Sequence, residues 1–268
     1  MKKIIISAGF CIFLFFAGRA QSPEQLTVPL SSPGSSYSLN VDLVEGSIKA
    51  SGYEGKEILI TVTGKSRRED GRESQGGMKR ISPKNSYDIT AKEENNVVTV
   101  ENNDANRAVE ISLKIPKNVK LKLSTVNNGD IEVENVQGEI EINNVNGGIK
   151  CTGISGSVVA TTVNGNVIAT FATIDEKAPM AFTTLNGNVD VTLPANAKSN
   201  FKLKSERGEI FTDFDMDIEK NQSRTETQKE AGMYRLKLED WIIGKINGGG
   251  PEMLMKNMNG NIYIRKTK

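Results

Sequence analysis

Five glycines stand nine residues apart, at Gly129, Gly138, Gly147, Gly156 and Gly165, and three apolar registers keep the same step. The first is Ile131, Ile140, Ile149, Val158 and Val167; the second is Val133, Ile142, Cys151, Ala160 and Ala169. Val136, Val145, Ile154 and Val163 form the third. A repeat this short leaves the chain few folds, because no unit can bury a core alone and each must stack on its copies. Within a unit, Val136, Gly138, Ile140 and Ile142 alternate at period two, as one face of a β-strand requires. The next apolar residue, Val145, is three positions on. The breaks at Glu134-Asn135, Asn143-Asn144, Thr152-Gly153 and Thr161-Thr162 therefore read as corners, after which the same face continues inward.

The apolar-x-Gly-x-apolar-x-apolar core recurs at Val44–Ala50, Leu185–Val191 and Met258–Ile264. Val126-Asn127-Asn128-Gly129 and Ser205-Glu206-Arg207-Gly208 carry one extra residue before the glycine. This spread predicts a single elongated all-β domain over residues 38–268, after an N-terminal extension at 21–37. Two architectures satisfy the pattern. In a β-solenoid, equivalent aliphatic residues of successive coils stack into ladders, which suits a narrow interior with few aromatics. In an antiparallel β-meander or sandwich, Asn164-Gly165, Asn186-Gly187 and Asn259-Gly260 would be two-residue hairpin turns. The solenoid makes every unit equivalent and is the preferred reading. No segment keeps the apolar face of a helix. The polar stretches 64–86 and 215–232 read as exposed loops.

Lys2 and Lys3 precede an apolar run from Ile4 to Phe16, followed by Ala17, Gly18 and Ala20. This predicts a secretory signal peptide over residues 1–20, because the run is shorter than the roughly 20 apolar residues of a membrane span. Cys11 lacks the Leu-small-small setting that lipid attachment needs. Cleavage removes Lys2, Lys3 and Arg19, leaving 31 basic against 33 acidic residues, and no membrane span remains. Cys151 is then the sole cysteine, so no intrachain disulfide forms, and its inward register marks it as a buried, inert thiol.

The chain contains no histidine. Ser-His-Asp hydrolysis, Cys-His proteolysis and His-ligated zinc all fall away together. The near-neutral charge argues against nucleic acid as a partner, as does the absence of aromatics among the basic residues of 64–86. Asp213, Asp215 and Asp217 alternate with Phe214, Met216 and Ile218, and three carboxylates on one strand face are weak candidates for Ca²⁺. A solvent-facing edge with Phe214 and Met216 turned inward explains the same alternation, so no metal and no cofactor is expected. Ser199 and Lys202 match the Ser-x-x-Lys spacing of acylating enzymes, but a strand puts them on opposite faces. Glu132, Glu134, Glu139 and Glu141 point outward with nothing basic expected opposite them, and no catalytic constellation emerges. Gly248-Gly249-Gly250-Pro251 lacks the Lys-Ser/Thr of a phosphate loop and reads as a tight turn. The remaining candidate surface is the asparagines beside the repeat glycines: Asn146, Asn164, Asn166, Asn186, Asn188, Asn259 and Asn261, with Asn128. Turn chemistry accounts for such residues; aligned on one edge, they would also offer a ladder of amides to a carbohydrate.

Val126–Phe171, Thr183–Val191 and Ile246–Arg265, with Asn247-Gly248-Gly249-Gly250-Pro251 and Asn259-Gly260-Asn261-Ile262-Tyr263-Ile264, resemble the putative-adhesin family of bacterial envelope proteins. That family is related to the head domain of putative autotransporter adhesins. The resemblance implies a right-handed β-helix or β-solenoid, exported and non-enzymatic, with no catalytic residues to carry over. The expected function is that of an adhesin holding an extended extracellular or envelope glycan or protein along a solenoid face. The alternative is a periplasmic structural or signalling protein acting through a protein partner or self-association at strand edges. A polysaccharide-active enzyme is the remote third. The expected location is the periplasm, or the cell surface and the secreted fraction.

Overall fold

The computed structural model describes residues 25–64, 87–105, 107–219, 224–230, 233–239 and 241–268, and the side chains of all of these except 224–239. The expected leader at 1–20 and most of the 64–86 stretch lie outside them. In chain order the strands begin with β1 (Gln25–Pro29), β2 (Tyr37–Tyr53), β3 (Glu57–Gly64), β4 (Ile89–Glu94), β5 (Val97–Asn102), β6 (Val109–Pro116) and β7 (Val119–Asn127). Then come β8 (Ile131–Glu134), β9 (Gln137–Asn144), β10 (Ile149–Asn164), β11 (Val167–Ile174), β12 (Met180–Asn186), β13 (Val189–Leu193) and β14 (Ser199–Ser205). The last are β15 (Ile210–Thr212), β16 (Asp217–Ile218), β17 (Arg224–Glu230), β18 (Met233–Glu239), β19 (Ile242–Ile246), β20 (Glu252–Asn259) and β21 (Ile262–Lys266). Among the described residues all regular structure is β, so no helix is long and apolar enough to cross a membrane.

The strands coil into a β-solenoid with two walls. The first wall stacks β5, the first half of β2, β7, β9, the second half of β10, β12, β20 and β14 in parallel. The second stacks β6, the second half of β2, β8, the first half of β10, β11, β13, β21 and β15, also in parallel. One coil is one strand from each wall, so two nine-residue units make a coil. Ile131 accordingly pairs with Ile149, and Ile149 with Val167, eighteen residues on. Inside, this row runs Ile48, Ile131, Ile149, Val167, Val189 and Ile262, every member buried. Beside it, Cys151 lies between Val133 and Ala169, and its burial pushes the thiol up to about 12. The Asn-Gly pairs are corners between walls, not hairpin turns.

The coils do not stack in chain order. β2 lies between the coil of β5 and β6 and that of β7 and β8. At the other end, β20 and β21 slot between β12 and β13 on one side and β14 and β15 on the other. Antiparallel strands finish the ends: β4 on β5, and β3 with β1 on β6, at the N-terminal end; β19 with β16 on β14 at the other. The N-terminal end is clamped where the Ser31 hydroxyl and N–H and the Asn96 N–H all donate to the Glu93 carboxylate, and this holds its pKa below the usual range. Within the 215–232 stretch, expected to be a loop, Asp217–Ile218 pairs with β19 and Arg224–Glu230 forms a hairpin with Met233–Glu239. Asn247, Gly248 and Gly249 take positive φ of 49°, 89° and 86°, making the tight turn that the glycine run predicts.

Candidate functional site

The corner that leads from the first wall to the second is built from five parallel rows. At its centre run Gly46, Gly129, Gly147, Gly165, Gly187, Gly260 and Gly208. A Cβ placed on any of the last six would lie 1.8–2.2 Å from the carbonyl oxygen of the glycine one coil away. No side chain fits there, which is the physical origin of the glycine spacing. Each of these carbonyls then takes a hydrogen bond from inside. Thr125 donates to Gly46 at 2.8 Å, Asn144 to Gly129 at 3.0 Å and Thr162 to Gly147 at 2.9 Å. Thr184 donates to Gly165 at 2.8 Å, Asn257 to Gly187 at 3.1 Å and Ser205 to Gly260 at 3.0 Å.

This inner polar row corrects the expected register. Asn144 and Thr162 are buried strand residues pointing inward, whereas Val145 and Val163, expected inside, are half-exposed. Val136 and Ile154, at the opposite corner, are buried as expected. The two corners differ because the opposite one bends at Asn118, Asn135 and Gly153, in positive φ, and shifts the alternation by one residue. The glycine corner lets the chain run straight through the inward polar position. As a result, one apolar residue in each of six coils faces solvent. Val44, Val126, Leu185 and Met258 are 49%, 37%, 43% and 38% exposed, and with Val145 and Val163 they form a ridge along six coils. Register places each beside the next, about 4.8 Å apart.

Beside the ridge runs an asparagine ladder. The Asn146 amide donates to Asn127 Oδ1 at 3.0 Å, Asn164 to Asn146 at 2.8 Å, Asn186 to Asn164 at 2.8 Å and Asn259 to Asn186 at 2.6 Å. On the far side of the glycines, Asn166, Asn188 and Asn261 accept instead. Asn166 Oδ1 takes the Asn188 N–H, Asn188 takes the Asn261 N–H and Asn261 takes the Glu209 N–H, at 2.8–3.0 Å. Asp130 plays the same part for the Gly148 N–H at 2.7 Å. The seven candidate asparagines thus fall into two rows with different roles. Asn128 stands apart, in positive φ and donating to Glu45 at 2.8 Å. A cleft of about 490 Å³ opens on the corner near its N-terminal end, lined by Lys49, Glu110, Asn128, Asp130, Glu132 and Asn146 among others.

The other candidates do not converge. Asp213 accepts the Lys266 N–H at 2.6 Å, Asp217 pairs with Lys245 at 3.3 Å, and only Asp217 and Ile218 lie on a strand. Phe214 is buried and Met216 partly so, but Ile218 is 56% exposed because the chain bends at 213–216 instead of alternating. Among the described residues no group of three His, Cys, Asp or Glu side chains is placed to hold a metal ion. Ser199 faces inward and donates to Pro251, away from Lys202. The outward glutamates, expected to lack basic partners, have them. Lys49 reaches Glu132 at 3.3 Å and Glu134 at 3.4 Å, Lys120 reaches Glu139 at 3.3 Å, and Lys122 reaches Glu141 at 3.1 Å. These partners come from neighbouring coils, far apart in sequence. Through its hydrogen bonds to Glu132 and Glu134, the Lys49 pKa rises above its ordinary value.

These features define an all-β, β-solenoid-like protein with a ladder-built corner. Residues 123–236 match the family described as Toastrack DUF4097, to which no function is assigned. Two solved structures are similar. A "putative cell adhesion protein" from Clostridium sporogenes ATCC 15579 is 13% identical, with 92% of this chain and all of that one covered at a TM-score of 0.43. A "putative adhesin" from Bacteroides fragilis NCTC 9343 is 6% identical, with 92% and 98% covered at a TM-score of 0.28. No curated protein sequence matches the chain.

Proposed function

We propose that this is an exported, non-enzymatic protein of adhesin type, which holds an extended glycan or protein along the ladder-lined corner. The observation that carries the reading is the exposed aliphatic ridge lying beside the asparagine ladder, both repeating at the coil step. Identical contacts at a fixed spacing suit a polymer, because weak contacts sum along its length. The ridge supplies continuous apolar surface, which soluble monomers seldom expose without use. Each ladder asparagine spends one N–H on its neighbour, which leaves a second N–H and a lone pair for a ligand. The coil is right-handed, in keeping with nearly all parallel β crossovers. Export follows from the leader at 1–20, and the destination is the periplasm or the cell surface.

The test is an array of glycans, peptidoglycan fragments and matrix proteins probed with the purified protein. A specific hit weakened by Asn164→Ala with Asn186→Ala, and by Leu185→Asp, is the expected result. A blank array, or a hit indifferent to these substitutions, removes the reading. A second reading, self-association in the envelope, is favoured by the C-terminal end. There, among the described residues, β15 pairs on one side only, with β21, and Phe211, Ile218 and Ile243 are exposed. A mass that grows with protein concentration in sedimentation supports it, and a monomer throughout removes it.

A further inference from the structure

An Asn-Gly pair is the sequence most prone to deamidation, because a glycine has no side chain to hinder the attack of its nitrogen on the asparagine amide. The chain carries six such pairs, beginning at Asn128, Asn146, Asn164, Asn186, Asn247 and Asn259. The attack needs the glycine N–H unengaged and the side-chain amide able to leave. The ladder withholds both. Gly147 donates its N–H to the Asn164 carbonyl at 3.0 Å, Gly165 to that of Asn186 at 2.9 Å and Gly187 to that of Asn259 at 2.8 Å. The amides of Asn146, Asn164, Asn186 and Asn259 are each bonded to the next asparagine of the row. Asn247 Nδ2 is held by the carbonyls of Ala195 and Ala197, at 3.1 and 2.7 Å.

Asn128 is set differently. The Asn146 N–H and amide bond to Val126 and Asn127, so Asn127 fills the ladder position and Asn128 is the extra residue, bulged outward and exposed at a φ of 58°. Among the described residues the Gly129 N–H has no acceptor. The Asn128 amide donates to Glu45 at 2.8 Å, an exposed bond that water can replace.

We infer that Asn128 is a covalent modification site, where the folded protein deamidates ahead of its other Asn-Gly pairs. The Gly129 nitrogen bonds to Asn128 Cγ as the Cγ–Nδ2 bond breaks, and the side-chain nitrogen leaves as ammonia with the proton that Gly129 gives up. Water then opens the succinimide at one of its two carbonyls. The product at position 128 is an aspartyl residue or an isoaspartyl one, in which the main chain runs through the former side chain. Either way a carboxylate replaces the amide that bonded to Glu45, and attraction there becomes repulsion between like charges. The new charge falls on the cleft that Glu110, Asp130 and Glu132 already line, so the N-terminal end of the corner becomes more acidic as the protein ages. This chemistry is independent of whether the corner binds a ligand.

The test is to incubate the purified protein in mildly alkaline buffer, folded and in guanidinium chloride, and to follow each Asn-Gly pair by fragmentation of its tryptic peptide. In the folded protein, conversion at position 128 is expected to lead at all six pairs. It should outpace Asn146, Asn164 and Asn186 by about tenfold or more, since each of those must first break two hydrogen bonds. An isoaspartyl methyltransferase should label the peptide at position 128 first. In guanidinium chloride the six should convert at similar rates, because only the local sequence then acts. Asn128→Gln, whose longer side chain closes the ring far more slowly, should abolish the early conversion and leave the other five unchanged. The proposal is overturned if position 128 converts no faster than the ladder asparagines in the folded protein. An equal lead for position 128 in guanidinium chloride would assign it to the neighbouring sequence and overturn the structural cause.

Discussion

Thr162 is joined to Gly147 across two neighbouring coils, its hydroxyl donating to the glycine carbonyl at 2.9 Å from a site that is 2% exposed. The bond closes a gap that the glycine row itself creates, because coils that approach this closely need their corner carbonyls satisfied from within. Thr162→Val keeps the shape and removes the donor. It should destabilise the protein by about 1–3 kcal/mol, the cost of leaving a buried acceptor unpaired. Thr162→Ser should recover most of the loss. Urea unfolding of the three proteins checks this, and equal midpoints for the valine and serine variants would refute it.

Asn144 and Asn257 occupy the same inner row but fill it less well. Each side chain donates through its Nδ2, yet among the described residues no group donates to the buried Oδ1 of either. Threonine at the equivalent positions 125, 162 and 184 makes the bond with no oxygen left over. Asn144→Thr and Asn257→Thr are therefore expected to stabilise the protein, each by up to about 1 kcal/mol. Melting temperatures of the single and double variants give the answer, with additive rises expected because the two sites are well separated.

Gly147 and Gly148 are adjacent in sequence and opposite in tolerance. A Cβ on Gly147 would lie 2.0 Å from the Gly129 carbonyl oxygen, whereas on Gly148 it would meet nothing closer than 3.5 Å. Gly147→Ala must push two coils apart and should cost about 3 kcal/mol or more, while Gly148→Ala should stay within about 0.5 kcal/mol. Chemical denaturation of the pair separates close approach from any general dislike of alanine at the corner.

Much of this architecture can be read from the sequence. The nine-residue step, the strand alternation, the inward Cys151 and the lack of helix all follow from spacing alone. The inner row was also legible. A Thr, Asn or Ser stands three before the glycine at Asn144, Thr162, Thr184, Ser205 and Asn257, and four before it at Thr125, where the extra residue sits. Reading the valines of Val145 and Val163 as inward hides that pattern, since hydrophobicity outvotes polarity in any pattern of period two. The cross-coil ion pairs could not be read, because Lys49 and Glu132 are brought together by stacking and not by local chain. Nor could the order of coils. Every coil presents the same glycine, asparagine and aliphatic ladders, so each can stack on any other and the sequence carries no local mark of its neighbour. Lys256, for one, stands beside Lys204 only through that non-sequential order.

Cys151 ties stability to alkaline pH. Burial alone raises its thiol from 9.0 to about 12, so the folded protein keeps a proton that the unfolded chain gives up. The resulting stability is fully present below pH 9 and is lost progressively as pH rises from there towards 12. Cys151→Ala introduces a cavity cost at every pH but removes this slope. The stability difference between wild type and variant should be constant up to pH 9 and shrink above it. Iodoacetamide at pH 8 should leave native Cys151 unmodified and label it only on unfolding. Rapid labelling of the folded protein would contradict the burial.

The last coil fills an interior position, and this sets what its removal does. In a solenoid stacked in chain order, deleting the final coil uncovers one neighbour and leaves a shorter, soluble protein. Here residues 252–266 lie between β12 with β13 and β14 with β15, so a chain ending at Pro251 loses the partner of both flanking coils. Met180, Val189, Val191 and Phe201 would lose the residues paired with them, and the glycine, asparagine and inner polar rows would each be cut in their middle. The truncated protein should be insoluble, or should unfold in two steps, with the coils before β12 surviving the first. A soluble truncation with one cooperative transition would mean that β14 and β15 have closed the gap onto β12 and β13. The ladder residues Ser205, Gly208 and Glu209 would then have taken the places of Asn257, Gly260 and Asn261. Expression of the chain ending at Pro251, followed by thermal unfolding with far-ultraviolet circular dichroism, decides between the two.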